Sequence, residues 1–435
     1  MSTIISNNFL TISYLLIWVA TLVYYQYKNR NIDAGTAIIG TYIIYAICSI
    51  QNINDPIFGR EYKPLTLFPY IYLYLMLIIA LSPTIYNHVH STNKIENPNT
   101  RILFILGLII IITALLQIPD IARNFKTGFV KLFTDVDAGK DAYEESAMEQ
   151  DDTGTGITNL ASIIYNSLSD LAVFLFFYFL TIKNSKKVYL LLLFFAFAIG
   201  LLIPVMRGQR TGVILGILTL VSCYLLFRRY LSKRINKIIT ITGTFIIALT
   251  LLPAIAITVS RFGDRAAGVN GYLNWYIGQG SLYFNNYGLN PGGTRHGERT
   301  MNLFIRVIKP DTPKNYNERR AKYHNLKIDD YYFTTFVGDF AIDFGPVVTV
   351  FIFLIFNGFV LINIKHKDKI IRVDQLLLLY FSQCICMQGG MYLFAYSDEG
   401  NLKIITTSLL YAYLRYHRRL IEKYPLIPVK KENES

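Results

Sequence analysis

The sequence predicts an all-α membrane protein, a polytopic bundle of about 11 transmembrane helices. Hydrophobic residues make up 53% of the 435 positions and charged residues only 16%, whereas a soluble domain carries about 25% charged residues. The apolar residues come in blocks long enough for the ~20-residue helix that crosses a bilayer core of ~30 Å. Backbone polar groups in lipid must pair within their own segment, and the two-residue alternation of a β-barrel is absent, so the blocks are predicted to be helices.

Eleven blocks, with boundaries good to about 2–4 residues, are predicted to span the membrane: 9–25, 34–50, 65–86, 102–118, 163–182, 188–206, 211–227, 238–260, 340–364, 373–393 and 402–416. The first has no basic segment before it and no small-residue cleavage site after it, which favours a retained helix over a signal peptide. We therefore treat residues 1–435 as a single integral membrane domain. Four cysteines fall inside these blocks and are predicted to be packing residues, without a metal, disulfide or cofactor: Cys48, Cys223, Cys384 and Cys386.

The charge of the connections predicts the orientation of the bundle. Alternate connections are basic: Lys28 and Arg30; Lys94 and Arg101; Lys183, Lys186 and Lys187; Arg228, Arg229, Lys233, Arg234 and Lys237; Lys365, Lys367, Lys369 and Arg372. Because basic loops tend to stay in the cytoplasm, these connections are predicted to be cytoplasmic, with the N-terminus outside and the C-terminus inside. The net charge of +13 is therefore attributed to helix ends, and no nucleic-acid partner is predicted.

Two long polar segments fall on the predicted outer side. Segment 119–160 starts as an amphipathic stretch, with Ile121, Phe125 and Phe129 at a spacing of four, and then becomes acidic. The acidic run has Lys140 where a calcium loop needs glycine, so no calcium site is predicted. Segment 261–335 is predicted to be a large, ordered outer loop, because it is rich in aromatic residues.

Arginines at the outer surface are the strongest functional signal. Arg207 and Arg210 sit in a turn of almost no length between two predicted spans, and their spacing of three suggests one shared face of a helix end. Guanidinium groups match phosphate oxygens, and cations near the membrane often mark a ligand or a pathway. Arg261 and Arg265 follow the next outer span end and are predicted to join the same phosphate site.

The late outer loop combines arginines, histidine and tyrosines, a mixture suited to a sugar ligand with phosphate groups. The candidates for glycan binding are Tyr276, Arg295, His296, Arg299, Arg319, Arg320 and Tyr332. A glycosyl transfer to a hydroxyl also needs a general base. Asp339 and Asp343, four apart at the outer start of a predicted span, and His324 in the preceding loop are the candidates, and the residues leave the choice among them open.

Several of these features together resemble the bacterial O-antigen polymerases, the Wzy or oligosaccharide repeat-unit polymerase family. They are the aromatic-rich spans, the turn Arg207-Gly-Gln-Arg210, the large late outer loop with Tyr276-Ile-Gly-Gln-Gly-Ser-Leu-Tyr-Phe284, and the span entry Thr335-Phe-Val-Gly-Asp-Phe-Ala-Ile-Asp-Phe-Gly345. The resemblance covers most of the chain through short motifs.

The resemblance implies a metal-independent glycosyltransferase of the bacterial inner membrane with its active site facing the periplasm. It would move a growing glycan from undecaprenyl pyrophosphate onto another lipid-linked repeat unit, and a polysaccharide chain-length regulator is a further expected partner. Arg207 and Arg210 would hold the pyrophosphate, with help from Arg261 or Arg265. The sequence departs from the related ligases, because residues 331–335 occupy the position where they carry a histidine.

Two alternatives remain open at this stage. An O-antigen ligase would use the same donor and a lipid A-core acceptor, and the missing histidine argues against it. A flippase or transporter of lipid-linked oligosaccharides would place charged residues midway along its spans. The predicted spans are nearly free of charge, and no internal repeat is evident.

Overall fold

The computed structural model describes residues 2–29, 32–90, 92–96, 100–124, 157–183, 185–207, 209–263, 265–314, 316–366, 369–391 and 398–423. The acidic run of segment 119–160, together with Phe125 and Phe129, lies outside these residues. Ile121 belongs to a short described helix.

The described chain is mainly helical. Its α-helices are α1 (Ser2–Asn29), α2 (Ala34–Asn54), α3 (Leu67–Val89), α4 (Thr100–Leu115), α5 (Ile118–Asn124), α6 (Ile157–Thr181), α7 (Lys187–Met206), α8 (Arg210–Phe227), α9 (Lys233–Phe262), α10 (Gly268–Tyr283), α11 (Asn302–Ile308), α12 (Tyr316–Lys322), α13 (Thr335–Phe344), α14 (Pro346–Ile364), α15 (Val373–Gln388) and α16 (Asp398–Lys423). Short turns of 3-10 helix at Phe58–Glu61 and Arg228–Tyr230 and a π-helical turn at Phe284–Gly288 join them.

Nine helices among the described residues are long and apolar enough to cross a bilayer, and they correspond to the first nine predicted blocks. The ninth was predicted to begin at 340, but α14 begins at Pro346, because Gly345 adopts a positive φ of 85° and separates it from α13. The tenth and eleventh blocks are helical but fall short of these limits. Helix α15 has 16 residues, and α16 carries many polar residues.

Four of the five basic connections contact one another at one end of the bundle, which we call the basic end. A two-residue strand in the connection before α4, Lys94–Ile95 (β1), pairs in parallel with Ile370–Ile371 (β2). Arg228 donates to the carbonyl of Ile32 at 3.2 Å, which links two more of the basic connections. The opposite end, which we call the loop-rich end, carries the 207–210 turn and residues 263–334.

Two large hydrophobic clusters form most of the core, and α15 joins them. One cluster packs α1, α2, α3 and α13 together, and the other packs α4, α6, α7 and α8. Leu376 and Leu379 of α15 belong to the second cluster, whereas Cys386 and Met387 belong to the first. Helix α15 is buried on nearly every face, so it is the central helix of the bundle.

Part of the late segment 261–335 folds back onto the bundle as helix α10. Ser49 of α2 donates to the carbonyl of Gly278 at 2.6 Å and lies 2.8 Å from the hydroxyl of Ser281. The side-chain amide of Asn52 donates to the carbonyl of Trp275 at 3.3 Å. A Cβ atom on Gly278 would lie 2.4 Å from the backbone carbon of Cys48, so only glycine allows this approach.

We expect Gly278→Ala to lower the thermal stability of the protein in detergent, because the added methyl overlaps backbone atoms of α2. Overpacking of this kind costs about 1–3 kcal/mol. Gly40→Ala, also in a helix of the bundle and with open space around its Cβ position, should be neutral or slightly stabilising. Equal melting temperatures for the two variants would show that α10 is not held tightly against α2.

Candidate functional site

Arginines from two helices and a following turn gather around Phe262 at the loop-rich end. The guanidinium carbon of Arg210 lies 4.7 Å from the Phe262 ring centre, and those of Arg261 and Arg265 lie 5.3 and 5.2 Å away. The Phe262 ring stacks on Tyr272, with centroids 4.4 Å apart. We call Arg210, Arg261, Arg265, Phe262, Tyr272 and Tyr276 the Phe262 cluster.

Arg210 is the buried member of this cluster. Its side chain begins at the first residue of α8, stacks 4.4 Å from the centre of the Tyr276 ring and donates to the hydroxyl of Thr258 at 3.1 Å. The residue is only 3% exposed, and its Nη2 has no hydrogen-bond acceptor among the described residues. A buried guanidinium with an unused donor is costly unless a ligand completes it.

Arg207 and Arg210 do not share a helix face, contrary to the sequence expectation. Arg207 closes α7 as its C-terminal cap, and Arg210 opens α8. The amide of Gln209 donates to the carbonyl of Pro204 at 2.8 Å and reverses the chain between them. Arg207 therefore lines a cavity beside α6, whereas Arg210 faces α9 and α10.

An aromatic surface extends from the Phe262 cluster along the loop-rich end. Trp275 lies 6.4 Å from Tyr272 and 6.0 Å from Tyr331, measured between ring centres. Tyr332 packs on Tyr283 with a centroid distance of 4.2 Å. Tyr331 is 53% exposed, so one end of the surface is open to solvent. Aromatic faces of this kind can stack on the C–H surfaces of sugars.

Behind the aromatic surface lies a second, buried arrangement, which we call the Arg–Asp cluster. It comprises Arg295, Arg299, Arg319, Asp330, Asp339 and Asp343. Asp330 is its centre, at 3.0 Å from Arg295, at 2.9 Å from Arg299 and in contact with Arg319. Burial alone would raise the pKa of Asp330, but the three guanidiniums hold it well below its ordinary value. Asp330 immediately precedes Tyr331, so the cluster fixes the start of the aromatic segment Tyr331-Tyr332-Phe333.

The two candidate carboxylates also belong to this cluster, and both are 0% exposed. Asp339 lies 3.3 Å from Nε of Arg299. The Oδ2 of Asp343 accepts hydrogen bonds at 2.7 Å from both the amide and the hydroxyl of Thr300. Burial raises the pKa of Asp343 to about 6, against the opposing effect of Arg295 and of the Thr300 hydrogen bonds. These contacts favour a positioning role for both carboxylates in this conformation.

The raised pKa of Asp343 predicts that the stability of the folded protein depends on pH. Because the folded pKa of about 6 exceeds the ordinary value of 3.8, the stabilisation from the neutral carboxyl is complete below about pH 4 and is lost as the pH rises through about 6. The asparagine of Asp343→Asn stays neutral at every pH. The melting temperature of this variant minus that of the wild type should therefore increase as the pH is raised from about 4 to about 7.5. The increase should correspond to about 3 kcal/mol at most in the free energy of unfolding. A pH-independent difference between the two proteins would contradict this assignment.

The remaining predicted residues lie on the surface of the loop-rich end. Arg320 pairs with Asp329 through two bonds of 2.7 and 2.6 Å, and both are exposed. His324 is exposed, with its Nδ1 at 2.8 Å from the carbonyl of Ala321. His296 is exposed and has a positive φ of 54°. Neither histidine belongs to the Phe262 cluster or to the Arg–Asp cluster.

Sequence reasoning missed three charged residues that the structure places in ion pairs. Asp330 stands beside Asp329 in a polar stretch, and only the fold shows that one is buried and the other exposed. Asp170 lies inside a predicted apolar span and pairs with Lys403 of α16 at 2.9 Å. A carboxylate within a membrane helix was the available signal for this pair.

No protein-family model matches the sequence, and neither the curated proteins nor the solved structures contain a match. The fold itself defines the class, an all-α membrane protein with several long apolar helices. Among the described residues, no three His, Cys, Asp or Glu side chains gather into a group that could hold a metal ion.

Proposed function

We propose that this protein is a surface-polysaccharide polymerase of the bacterial inner membrane, with its loop-rich end in the periplasm. The observation that carries the proposal is the Phe262 cluster. Three cationic side chains share one aromatic ring, and the buried Arg210 keeps an unused donor. Grouped guanidiniums beside aromatic rings suit a pyrophosphate joined to a sugar.

The proposed reaction joins two lipid-linked repeat units. A hydroxyl of the acceptor unit attacks the anomeric carbon of the donor glycan, and the bond from that carbon to the pyrophosphate oxygen breaks. The lipid pyrophosphate leaves with the bonding electrons, and the hydroxyl proton passes to a base or to water. The Phe262 cluster would stabilise the negative charge that develops on the leaving group. Tyr331, the exposed tyrosine of the aromatic surface, would support the glycan.

One observation favours the flippase alternative. Asp170 lies about halfway along the α6 span and pairs with Lys403 beside a cavity, as expected for a pathway through the membrane. The arginines of the Phe262 cluster lie near helix ends instead, which suits chemistry at one surface of the membrane. An O-antigen ligase would share the donor site, so the identity of the acceptor substrate distinguishes a ligase from a polymerase.

Analysis of the surface glycan in a deletion strain separates these functions. We expect loss of long chains with retention of a glycan that carries a single repeat unit, because the ligation step would remain intact. Lipid-linked long chains that fail to reach lipid A-core would indicate a ligase. Repeat units trapped on the cytoplasmic side would indicate a flippase, and either outcome would contradict the polymerase proposal.

A further inference from the structure

A cavity of about 240 Å³, lined by both polar and apolar side chains, opens between α6, α7, α8, α15 and α16. It is separate from the Phe262 cluster, and the two flank the 207–210 turn. Arg207 lines the cavity, whereas Arg210 lies in the cluster. The walls of the cavity include the apolar side chains of Phe197, Leu201 and Pro204 on one side.

The charges that line this cavity balance one another. Lys403 donates to Asp170 at 2.9 Å, and Asn166 donates to Glu399 at 2.9 Å. With Arg207, the lining has two cationic and two anionic side chains. This balance differs from the three arginines of the Phe262 cluster. Carboxylates repel phosphate and accept hydrogen bonds from hydroxyl groups, so the lining favours a neutral, hydroxyl-rich ligand.

Gln388 gives independent evidence for a ligand. The residue is 4% exposed and lines the cavity from the end of α15. Its Nε2 donates to the carbonyl of Leu215 at 3.1 Å and to the hydroxyl of Thr219 at 2.7 Å. Because the Leu215 carbonyl can only accept, the amide orientation is fixed. Its Oε1 then has no donor among the described residues, which a ligand hydroxyl would supply.

We propose that this cavity binds a neutral sugar ring of the acceptor repeat unit. Gln388, Asp170 and Glu399 would accept hydrogen bonds from its hydroxyls, and Phe197, Leu201 and Pro204 would cover its C–H surface. This proposal rests on the polymerase function and specifies it. The donor pyrophosphate and the acceptor sugar would lie on opposite sides of the 207–210 turn.

Thiol protection in purified full-length protein in nanodiscs tests the cavity. All four natural cysteines are buried, so Ser169→Cys would place one reactive thiol at the cavity wall. We expect a neutral methyl glycoside, from a panel of the glucose, galactose, mannose and N-acetylglucosamine forms, to slow labelling by a polar maleimide. Labelling follows the unoccupied fraction, so the effect should be about tenfold at about nine times Kd. Asn290→Cys, exposed and outside the lining, is the control and should be unaffected.

Two further substitutions identify the contacts. Protection should be lost when Ser169→Cys is combined with Gln388→Leu, which removes the unused acceptor. Glu399→Gln at the exposed rim should weaken protection without disturbing the buried core. Protection that persists in both combinations would overturn the proposal.

The ligand class and the function can fail separately. Stronger protection by sodium pyrophosphate than by every glycoside, or no protection by any of them, would overturn the assignment of the cavity to a neutral sugar. If glycosides protect but the protein joins no repeat units, the polymerase proposal fails and the cavity stands as a sugar site only. If repeat units are joined without any protection, the polymerase stands and the cavity assignment fails.

Discussion

Arg210→Gln should reduce the rate of glycan polymerisation by about 10²–10³, the usual effect of removing one group that stabilises developing negative charge. Arg210 is the most enclosed cation of the Phe262 cluster, at 3% exposure, so its charge acts where water screens it least. Glutamine keeps a polar side chain near Thr258 but has no charge and no planar fork. The measurement is the length distribution of surface glycan, with the variant's membrane abundance matched to the wild type.

Two companion variants make this result specific. Arg210→Lys retains the charge but loses the stacking on Phe262 and Tyr276, so it should fall between the wild type and Arg210→Gln. Arg60→Gln removes an exposed arginine in the short helical turn before α3 and should leave chain length unchanged. Normal long chains in Arg210→Gln at normal abundance would refute a role for this cluster in the reaction.

Asp330→Asn should destabilise the folded protein by about 3–5 kcal/mol, the usual cost of removing one partner from a buried ion pair. Asp330 is the shared partner of Arg295, Arg299 and Arg319, whose side chains are 1%, 4% and 6% exposed. Without its charge, the carboxylates that remain in the Arg–Asp cluster would be Asp339 and Asp343. We therefore expect a large drop in thermal stability in detergent and reduced abundance in the membrane.

The neighbouring aspartate is a matched control. Asp329→Asn changes the same chemical group one position earlier, but its ion pair with Arg320 is exposed. Exposed pairs contribute about 0–1 kcal/mol, so this variant should remain close to the wild type. Similar melting temperatures for Asp329→Asn and Asp330→Asn would show that the Arg–Asp cluster does not hold the aromatic segment in place.

The apolar pattern predicted most of the fold because hydropathy and length directly determine which helices can cross a bilayer. Helix α10 was not predicted, because its hydropathy does not distinguish it from a loop. It has the composition of a polar loop, and its packing depends on a backbone contact between Gly278 and α2 that no hydropathy pattern reveals. The boundary before α14 depended on the positive φ of Gly345, which is a property of a single residue.

The candidate site was predictable as a set of arginines but not as two groups. Arg210, Arg261 and Arg265 do come together, because the ends of α8 and α9 meet at the loop-rich end. Arg295, Arg299 and Arg319 have the same composition signal, yet they are buried around Asp330. Whether an arginine meets a ligand or a buried aspartate depends on tertiary packing, which local sequence does not encode.

Reconstitution with a single defined substrate tests the polymerase proposal most directly. Purified protein in nanodiscs would receive one lipid-pyrophosphate-linked repeat unit, without lipid A-core, and the products would be separated by size. We expect lipid-linked dimers and longer glycans, with one free lipid pyrophosphate released for each linkage formed. Unchanged substrate in the presence of folded protein, or transfer only when lipid A-core is added, would contradict the polymerase proposal.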